Sequence, residues 1–396
     1  MLPLAHVEKL RQIVDVDYEP TLTEESLIDR IPGANLLVVR GTKVRAEAIA
    51  AADDLELIVR AGAGTENIDM VAASTKGVYV TNCPDKNAAA VAELTMGLLI
   101  SVDRRIPEQA AELKGRKWRK EFFQNADGLK GKTFGVVGVG SVGREVIKRA
   151  KAFDMRVVAW SRNLTDQKAA DLGVSRSTSV DELIADCDII SLHIALTPET
   201  RHLISSKEIA RMRHGAIILN TSRGSVIDNQ ALAEALREGR IRAGLDVYEN
   251  EPRQGEGVFN DVLVDVPNWV GTHHVGASTL QAQTATADET VRIIQTYIKT
   301  GDVQNCVNFA RETPAIYEMI IRHYDRIGVL TRILSDLRES KISVHEVHNM
   351  IFAGANAAVA HLQIDTYPSP ETLERITSRE TEIISIRIVK LQQATN

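Results

Sequence analysis

A glycine-rich segment near residue 140 constrains the fold of this chain more than any other feature. Residues 133–137 (TFGVV) form a short, largely apolar run, which predicts a buried strand. The G-x-G-x-x-G spacing of Gly138, Gly140 and Gly143 follows at once, and a helical pattern continues from it. Gly138 allows a tight turn, Gly140 lets the backbone approach a pyrophosphate, and Gly143 lets the helix pack on the strand. Because a second strand-like run follows at 156–160 (RVVAW), the segment predicts a dinucleotide-binding unit whose helix N-terminus faces the phosphates.

The composition limits the class of protein. A chain of 396 residues is long enough for two or three domains with cores of their own. Its formal net charge of −6, without a long basic run, argues against nucleic acid or an anionic membrane as a partner. Cys83, Cys187 and Cys306 form neither a disulfide framework nor a zinc-type spacing, so we expect no bound metal. The sequence has no signal-peptide pattern and no membrane-spanning stretch, so we expect a soluble, cytoplasmic protein.

Helical and strand-like segments alternate over the first hundred residues, ahead of the glycine-rich turn. The strand-like segments are 35–39, 55–59 and 78–81, and helical patterns cover 24–31 and 46–52. Such alternation predicts a parallel sheet covered by helices. Because the glycine-rich turn belongs to the first strand of its own sheet, these residues are predicted to form a separate α/β domain.

The alternation resumes after the glycine-rich turn and predicts a full doubly wound parallel sheet. Its further strands are expected at 187–192, 216–219, 244–247 and 269–272, the last closing the sheet, and 278–300 is expected to be one long helix. From residue 317 the composition and pattern change to a βαββαβ order, which fits a ferredoxin-like module with a regulatory role. Its predicted strands are 317–324, 342–352, 357–366 and 382–391, and its predicted helices are Gly328–Glu339 and Pro370–Arg379.

Two segments offer groups that bind anions. The glycine-rich loop at 60–69 (RAGAGTENID) follows a predicted strand, and its backbone N–H groups either bind an anion or only form a turn. Arg223 lies in the run NTSRG, just past another predicted strand. An arginine there can hold a carboxylate bidentately and polarise a neighbouring carbonyl, or it can be an ordinary surface arginine.

Two further segments, 245–252 (LDVYENEP) and 272–279 (THHVGAST), offer acid/base groups. Reduction of a keto group needs a proton donor, for which histidine is suited near neutral pH. A carboxylate bonded to the imidazole would raise its pKa and fix its orientation. Spacing alone leaves open whether Glu251 and His274 meet.

These motifs, in this order, resemble the D-isomer-specific 2-hydroxyacid dehydrogenases, and within them the phosphoglycerate dehydrogenases. The resemblance covers essentially the whole chain and implies hydride transfer between NAD and a D-2-hydroxy acid. It implies that Arg223 binds the carboxylate and keto oxygen of the substrate. It also implies that His274 rather than His273 is the acid/base, and that Glu251 rather than Glu249 supports it.

The same resemblance implies binding sites for the substrate and the cofactor. Pro84 is expected to line the substrate cleft. The other implied substrate residues are Arg60, Ala61, Gly62, Ala63, Gly64, Asn82, Cys83 and Arg223. The implied cofactor residues are Gly138, Gly140, Ser141, Val142, Gly143, Ser161, Arg162, Ile194, Thr221, Ser222, Asp246, His274 and Gly276.

The resemblance implies three domains and a homodimer or homotetramer. A discontinuous, flavodoxin-like substrate domain is expected at 1–98 and 286–312, and the Rossmann domain at 99–285. The module at 316–396 resembles an ACT domain, which implies binding of an amino-acid effector. An alternative is that this module only dimerises, through the edge strands of its sheet.

The sequence departs from the family pattern at three places. Ser161 and Arg162 stand where an acidic residue would accept the ribose hydroxyls, so NADP use is open beside NAD. His273 replaces the usual proline, which leaves open which histidine the glutamate orients. In the C-terminal module, His323 and Asp325 occupy the expected effector site, but an ionised Asp325 only accepts hydrogen bonds where relatives have asparagine.

The main hypothesis is NAD(P)-dependent oxidation of D-3-phosphoglycerate to 3-phosphohydroxypyruvate, the first step of serine synthesis. A hydroxypyruvate or glyoxylate reductase is the alternative that Ser161 and Arg162 favour, because such reductases often prefer NADPH. A more distant alternative is a nucleotide-sensing regulator, since corepressors in the family retain the same catalytic residues.

Overall fold

The computed structural model describes residues 2–252, 256–310, 312–378 and 382–391. Contacts between residues divide the chain into two compact units, with the division between residues 308 and 309. Within the described residues, no helix combines the length and hydropathy needed to cross a membrane.

The first unit begins with a small parallel sheet. In the described residues its strands are β1 (Leu36–Val39), β2 (Leu57–Arg60) and β3 (Tyr79–Asn82), in that spatial order. A separate first sheet, as predicted from the sequence, is thus confirmed. The surrounding helices are α1 (Leu4–Arg11), α2 (Glu24–Arg30), α3 (Ala46–Ala51) and α4 (Met70–Lys76).

A helix from much later in the chain completes this part of the unit. The helix Leu280–Thr300 places Val291 and Ile294 in one hydrophobic cluster with Leu57 and Val59 of the small sheet. Cys306 also forms a β-bridge with Thr81. Residues after 280 therefore pack with the N-terminal residues, as a discontinuous substrate domain requires, while the exact domain limits stay a prediction.

A larger parallel sheet follows the small one. In the described part of the chain its spatial order is β10-β9-β8-β7-β4-β5-β6, the doubly wound order that the sequence predicts. Its strands are β4 (Thr133–Val137), β5 (Arg156–Trp160), β6 (Ser175–Arg176), β7 (Ile189–Leu192), β8 (Ile217–Asn220), β9 (Arg242–Leu245) and β10 (Trp269–Gly271). The helices in this part of the unit are α5 (Ala88–Arg104), α6 (Ile106–Lys114), α7 (Lys120–Phe123), α8 (Ser141–Ala152), α9 (Asp166–Leu172), α10 (Val180–Asp186), α11 (Ser206–Arg211) and α12 (Asn229–Arg237). The helix Leu280–Thr300, which packs on the small sheet, is α13.

The order of this sheet reverses between β4 and β7, which are neighbours. All five residues of β4 are buried, because helices cover both faces of the sheet. Ligands of doubly wound folds bind at this reversal, beyond the carboxyl ends of the strands. The glycine-rich turn lies at this point, directly after β4.

One predicted strand is shifted in the structure. The sequence pattern predicts 244–247, whereas β9 spans Arg242–Leu245. Asp246, the next residue in the chain, is buried, and its carboxylate bonds to the loop after β10. The other predicted strands of this sheet differ from the observed ones only at their ends.

The second unit is an antiparallel sheet with two helices. Within its described residues the sheet order is β12-β13-β11-β14, and the chain order βαββαβ is confirmed. The last helix was predicted to end at Arg379, which lies outside the described residues, as do 392–396 of the predicted domain. The elements are β11 (Tyr317–Tyr324), α14 (Val329–Glu339), β12 (Val344–Ile351), β13 (Ala357–Ile364), α15 (Pro370–Thr377) and β14 (Ile383–Lys390).

Candidate active site

The three glycines of the turn have different surroundings. Gly138 has a φ of +97°, and a Cβ there would lie 2.3 Å from the carbonyl oxygen of His193. A Cβ on Gly143 would lie 2.1 Å from the carbonyl oxygen of Gly138. Among the described residues, chain neighbours aside, nothing lies within 4 Å of a Cβ placed on Gly140. Gly138 and Gly143 are therefore needed for packing, whereas Gly140 faces open space, where a pyrophosphate would approach.

The N-terminus of α8 is also suited to bind a pyrophosphate beside Gly140. The helix begins at Ser141, directly after Gly140, and no side chain of the described residues caps its first turn. Its first N–H groups thus keep their capacity for an anion, reinforced by the helix dipole. Val142 packs into the hydrophobic cluster below, and Ile194 lies against the turn at Gly138. These residues fit a bound dinucleotide.

Ser161 and Arg162 directly follow β5, the strand next to β4 in the sheet. Arg162 is exposed and has no hydrogen-bond or ion-pair partner among the described residues. The hydrogen bond from Thr197 lowers the pKa of the exposed Glu199, and the charge of Arg162 adds to this effect. The Arg162 guanidinium is therefore open to a further anion.

Local hydrogen bonds hold the NTSRG loop at the end of β8. The side-chain oxygen of Asn220 accepts from the N–H and the hydroxyl of Ser222, and its amide donates to the carbonyl of Arg223. Thr221 is buried, with its hydroxyl 2.9 Å from that of Thr95. The loop is thereby fixed, and its arginine extends from a rigid turn.

This loop packs closely against the LDVYENEP segment. A Cβ on Gly224 would lie 2.0 Å from the backbone carbonyl of Tyr248. Because only glycine allows this approach, Gly224 brings Arg223 beside the segment that carries Glu251. The charge of Arg223 accordingly acts on the pKa values of both Glu251 and His274.

Asp246 anchors the loop that carries the histidines. Its carboxylate accepts hydrogen bonds from the Thr272 hydroxyl and from the N–H groups of Val275 and Gly276, and its carbonyl accepts from the N–H of His274. Asp246 is 1% exposed, so its carboxylate is committed to the protein. The structure gives Asp246 this anchoring role, and a direct contact with the cofactor stays a prediction.

His274 and Glu251 meet in the structure. The Nδ1 atom of His274 lies 2.8 Å from Oε2 of Glu251, whose Oε1 accepts a hydrogen bond from the N–H of Tyr248. His274 has a φ of +52°, a left-handed conformation that non-glycine residues rarely adopt. Glu249 instead bonds to a different histidine and an arginine outside the cluster. His273 has no hydrogen-bond partner among the described residues.

The contact between His274 and Glu251 shifts the pKa values of both groups. The hydrogen bond to Glu251 raises the pKa of His274, against the smaller opposing effect of burial. Burial raises the pKa of Glu251, but the hydrogen bonds from His274 and the Tyr248 N–H lower it overall. The pair therefore favours an imidazolium beside a carboxylate, which suits a group that releases and takes up a proton near neutral pH.

The predicted substrate loop, residues 60–64, lies at the carboxyl end of β2, beside the end of β3. A Cβ on Gly62 would collide with the guanidinium of Arg60, which folds over this glycine. The amide of Asn82 donates to the carbonyl of Ala63 at 2.6 Å. The Nε atom of Arg60 is buried without a hydrogen-bond partner among the described residues, and burial lowers its pKa. The loop thus presents an arginine with unused donor capacity.

The expectation that Cys83 lines the substrate cleft is wrong for its side chain. Cys83 is 1% exposed, and its thiol contacts the Thr286 carbonyl and the Thr290 hydroxyl of α13. Burial raises the pKa of this thiol. Its N–H donates a hydrogen bond to the carbonyl of Gly62, so the backbone of Cys83 stabilises the substrate loop.

Sequence reasoning missed two charged residues of this site. The Oε1 atom of Glu66 accepts two hydrogen bonds from Arg223, at 2.8 Å from Nε and 2.6 Å from Nη2. Arg40 follows β1 and lies close enough to Arg60 to act on its pKa. Arg60 was predicted from the family resemblance, whereas Arg40 directly follows a predicted strand, a position that could have marked it.

The predicted effector residues differ in their surroundings. His323 is 1% exposed, and its ring nitrogens bond to the Tyr324 carbonyl and to Oδ1 of Asn349. Because both nitrogens already have partners, the structure gives no support for a direct contact between His323 and an effector, which stays a prediction. Asp325 is exposed and remains a predicted effector residue.

Comparison with known proteins identifies the family. Residues 96–276 match the family described as "D-isomer specific 2-hydroxyacid dehydrogenase, NAD binding domain". A hydroxypyruvate reductase of Thermotoga maritima is 42% identical over 275 residues, which cover 69% of this chain and 88% of that protein. The chain belongs to the D-isomer-specific 2-hydroxyacid dehydrogenases. The expected cofactor NAD is confirmed by this membership.

Other similar proteins are named phosphoglycerate dehydrogenases. A D-3-phosphoglycerate dehydrogenase of Methanocaldococcus jannaschii is 42% identical over 304 residues, which cover 76% of this chain but 57% of that protein. The chain thus spans little more than half the length of that relative. The structure of NAD⁺-bound 3-phosphoglycerate dehydrogenase of Entamoeba histolytica matches with a TM-score of 0.64 and 28% identity, over 78% of this chain and 96% of that one.

Proposed function

We propose that this family member oxidises D-3-phosphoglycerate with NAD(P) and catalyses the reverse reduction with the same residues. The observation that carries the proposal is the grouping of Arg40, Arg60 and Arg223 around one glycine-rich loop. The substrate has a carboxylate at one end and a phosphate at the other. A site with several arginines, one of which has a buried unpaired donor, suits such a doubly anionic molecule.

In this proposal Arg223 binds the carboxylate and the oxygen at the reacting carbon. His274 gives its Nδ1 to Glu251, which leaves Nε2 to remove the hydroxyl proton during oxidation. Glu251 holds the ring in this orientation and stabilises the imidazolium that forms. NAD, when bound, supplies the acceptor for the hydride. In the reverse reaction His274 returns the proton to the keto oxygen.

The proposed substrate is supported by two similar proteins that are named phosphoglycerate dehydrogenases. One is 42% identical in sequence, and the other is similar in structure. The second candidate is a hydroxypyruvate or glyoxylate reductase. It is supported by the relative named hydroxypyruvate reductase, which is also 42% identical. The pair Ser161 and Arg162 adds a reason to include NADP, because no carboxylate repels a 2′-phosphate there.

For the second unit we propose a regulatory role as an ACT-like module. Its βαββαβ topology supports this role, and an amino acid is the proposed effector. Because His323 is buried and bonded, the effector would contact other residues near Asp325. Titrating the full chain with serine while following the reaction rate tests this. Inhibition that saturates supports the role, and an unchanged rate argues for a module that only dimerises.

The substrate proposal is tested by steady-state kinetics of the purified protein. The kcat/KM is measured with 3-phosphohydroxypyruvate, hydroxypyruvate and glyoxylate, each with NADH and with NADPH. A strong preference for the phosphorylated substrate supports phosphoglycerate dehydrogenase. A preference for either unphosphorylated keto acid contradicts it and favours the reductase.

A further inference from the structure

The guanidinium of Arg223 already has a carboxylate partner within the protein. Glu66, two residues past Gly64 of the substrate loop, accepts hydrogen bonds from both Nε and Nη2 of Arg223 through one oxygen. This edge of a guanidinium is one that binds carboxylates side-on. In the proposed function, the substrate carboxylate needs the same arginine. Two carboxylates therefore compete for one cation.

The pair lies directly on the substrate loop. A Cβ on Gly64 would come within 2.4 Å of both Nη2 of Arg223 and Oε2 of Glu66. Glu66 thus occupies space immediately above the loop, where a bound anion would lie. Nη1 of Arg223 is separately held by the Ser222 carbonyl at 2.7 Å, which keeps the arginine in place when its other partner changes.

The surrounding charges explain why an internal carboxylate is present. Burial lowers the pKa of Arg60, and the like charges of Arg223 and Arg40 lower it further, while Glu66 has the opposite effect. Arg223 in turn keeps the pKa of Glu66 below its ordinary value, although burial raises it. Glu66 is therefore a counter-anion that relieves repulsion among the arginines.

The contact can be exchanged because it is accessible to solvent. The side chains of Arg223 and Glu66 are 33% and 55% exposed, and ion pairs of this kind contribute little to stability. A ligand that offers a carboxylate can replace Glu66 without leaving a buried charge unpaired. A neutral ligand has no negative charge with which to replace Glu66 on Arg223.

We propose that Glu66 occupies the substrate-carboxylate position on Arg223 and is displaced when substrate binds, so that it sets the affinity of the site for carboxylates. This inference rests on the proposed role of Arg223. Glu66 is therefore a specificity-determining residue, because a ligand must replace its carboxylate on Arg223 in order to bind.

The test measures binding of oxamate, a carboxylate with an adjacent carbonyl, to the full chain with NADH by isothermal titration. We expect Glu66→Gln to lower the Kd of oxamate by about three- to fivefold, the range of one exposed ion pair. Glu47 of α3 is exposed and lies outside the site, so Glu47→Gln is a matched charge control that should leave the Kd unchanged.

A double variant separates exchange from a general charge effect. In an Arg223→Gln background, Glu66→Gln should no longer tighten oxamate binding, since the shared partner is gone. Weaker or unchanged oxamate binding in Glu66→Gln would overturn the inference, as would equal tightening in both backgrounds. Because oxamate is not turned over, this result is independent of which keto acid the enzyme prefers. Circular dichroism of each variant checks folding.

Discussion

The imidazole of His274 and the carboxylate of Glu251 lie 2.8 Å apart, although the two residues come from the ends of different strands of one sheet. Asp246 fixes the loop of the first, and the N–H of Tyr248 holds the second. A proton carried by His274 is therefore stabilised by a carboxylate whose own position is fixed. This relationship supports the assignment of acid/base chemistry to His274.

Replacement of His274 should abolish most of the turnover. General acid–base catalysis contributes about 10²–10⁴-fold, so His274→Ala should lower kcat by that factor while the Kd of NADH stays near that of the wild type. His273→Ala is the matched control, because His273 is adjacent and has no partner among the described residues. A large loss of kcat in the control instead would show that the acid/base role belongs to His273.

Replacement of Glu251 should move the pH profile. Glu251 raises the pKa of His274, so Glu251→Gln should lower it. Reduction of a keto acid needs protonated His274, and its rate falls as pH rises through this pKa. In Glu251→Gln the fall in kcat should therefore occur at lower pH, and the rise in the oxidation rate should shift in the same direction. An unchanged profile with a uniformly lower kcat would contradict the role of Glu251.

Substitutions of two glycines of the turn should have different effects, one on the stability of the fold and the other on cofactor binding. Gly143→Ala places a Cβ 2.1 Å from a backbone oxygen and should lower the free energy of unfolding by about 1–3 kcal/mol. Gly140→Ala meets no protein atom within 4 Å, so its unfolding in urea should match the wild type. Its Kd for NADH should nevertheless rise about tenfold or more, because the methyl group occupies the pyrophosphate approach. Normal NADH affinity in Gly140→Ala would exclude this position for the cofactor.

The end of β5 should set the preference between cofactors. Ser161→Asp restores a carboxylate that repels a 2′-phosphate, and Arg162→Gln removes the nearby cation. Each should lower the ratio of kcat/KM for NADPH to that for NADH by about tenfold, equivalent to about 1.4 kcal/mol. If neither variant changes this ratio, these two residues do not contact the adenosine ribose.

The strands and the cofactor turn could be predicted because their signals are local. Thr133–Val137 and Arg156–Trp160 were predicted with the bounds that the structure has. The roles of Arg223, Glu251 and His274 were predicted from the family resemblance, because spacing alone left open whether Glu251 and His274 meet. In contrast, Glu66 and Arg223 are 157 residues apart, and no local pattern relates them.

His323 and Cys83 show how far the direction of a side chain can be predicted. On β11, Met319, Ile321 and His323 are buried and alternate with half-buried or exposed residues, so the period of two places His323 on the inner face. Cys83 follows β3, where the chain leaves the sheet and no period applies. Its direction depends on α13, which comes some two hundred residues later.

The most direct test of the proposed substrate is the selectivity of Arg60→Gln. The quantity measured is the ratio of kcat/KM for 3-phosphohydroxypyruvate to that for hydroxypyruvate, which does not depend on the fraction of folded enzyme. If Arg60 binds the phosphate, the ratio should be well above one in the wild type. It should fall about 10–100-fold in the variant, as for loss of a charged hydrogen bond. An equal loss with both substrates would contradict phosphate recognition by Arg60.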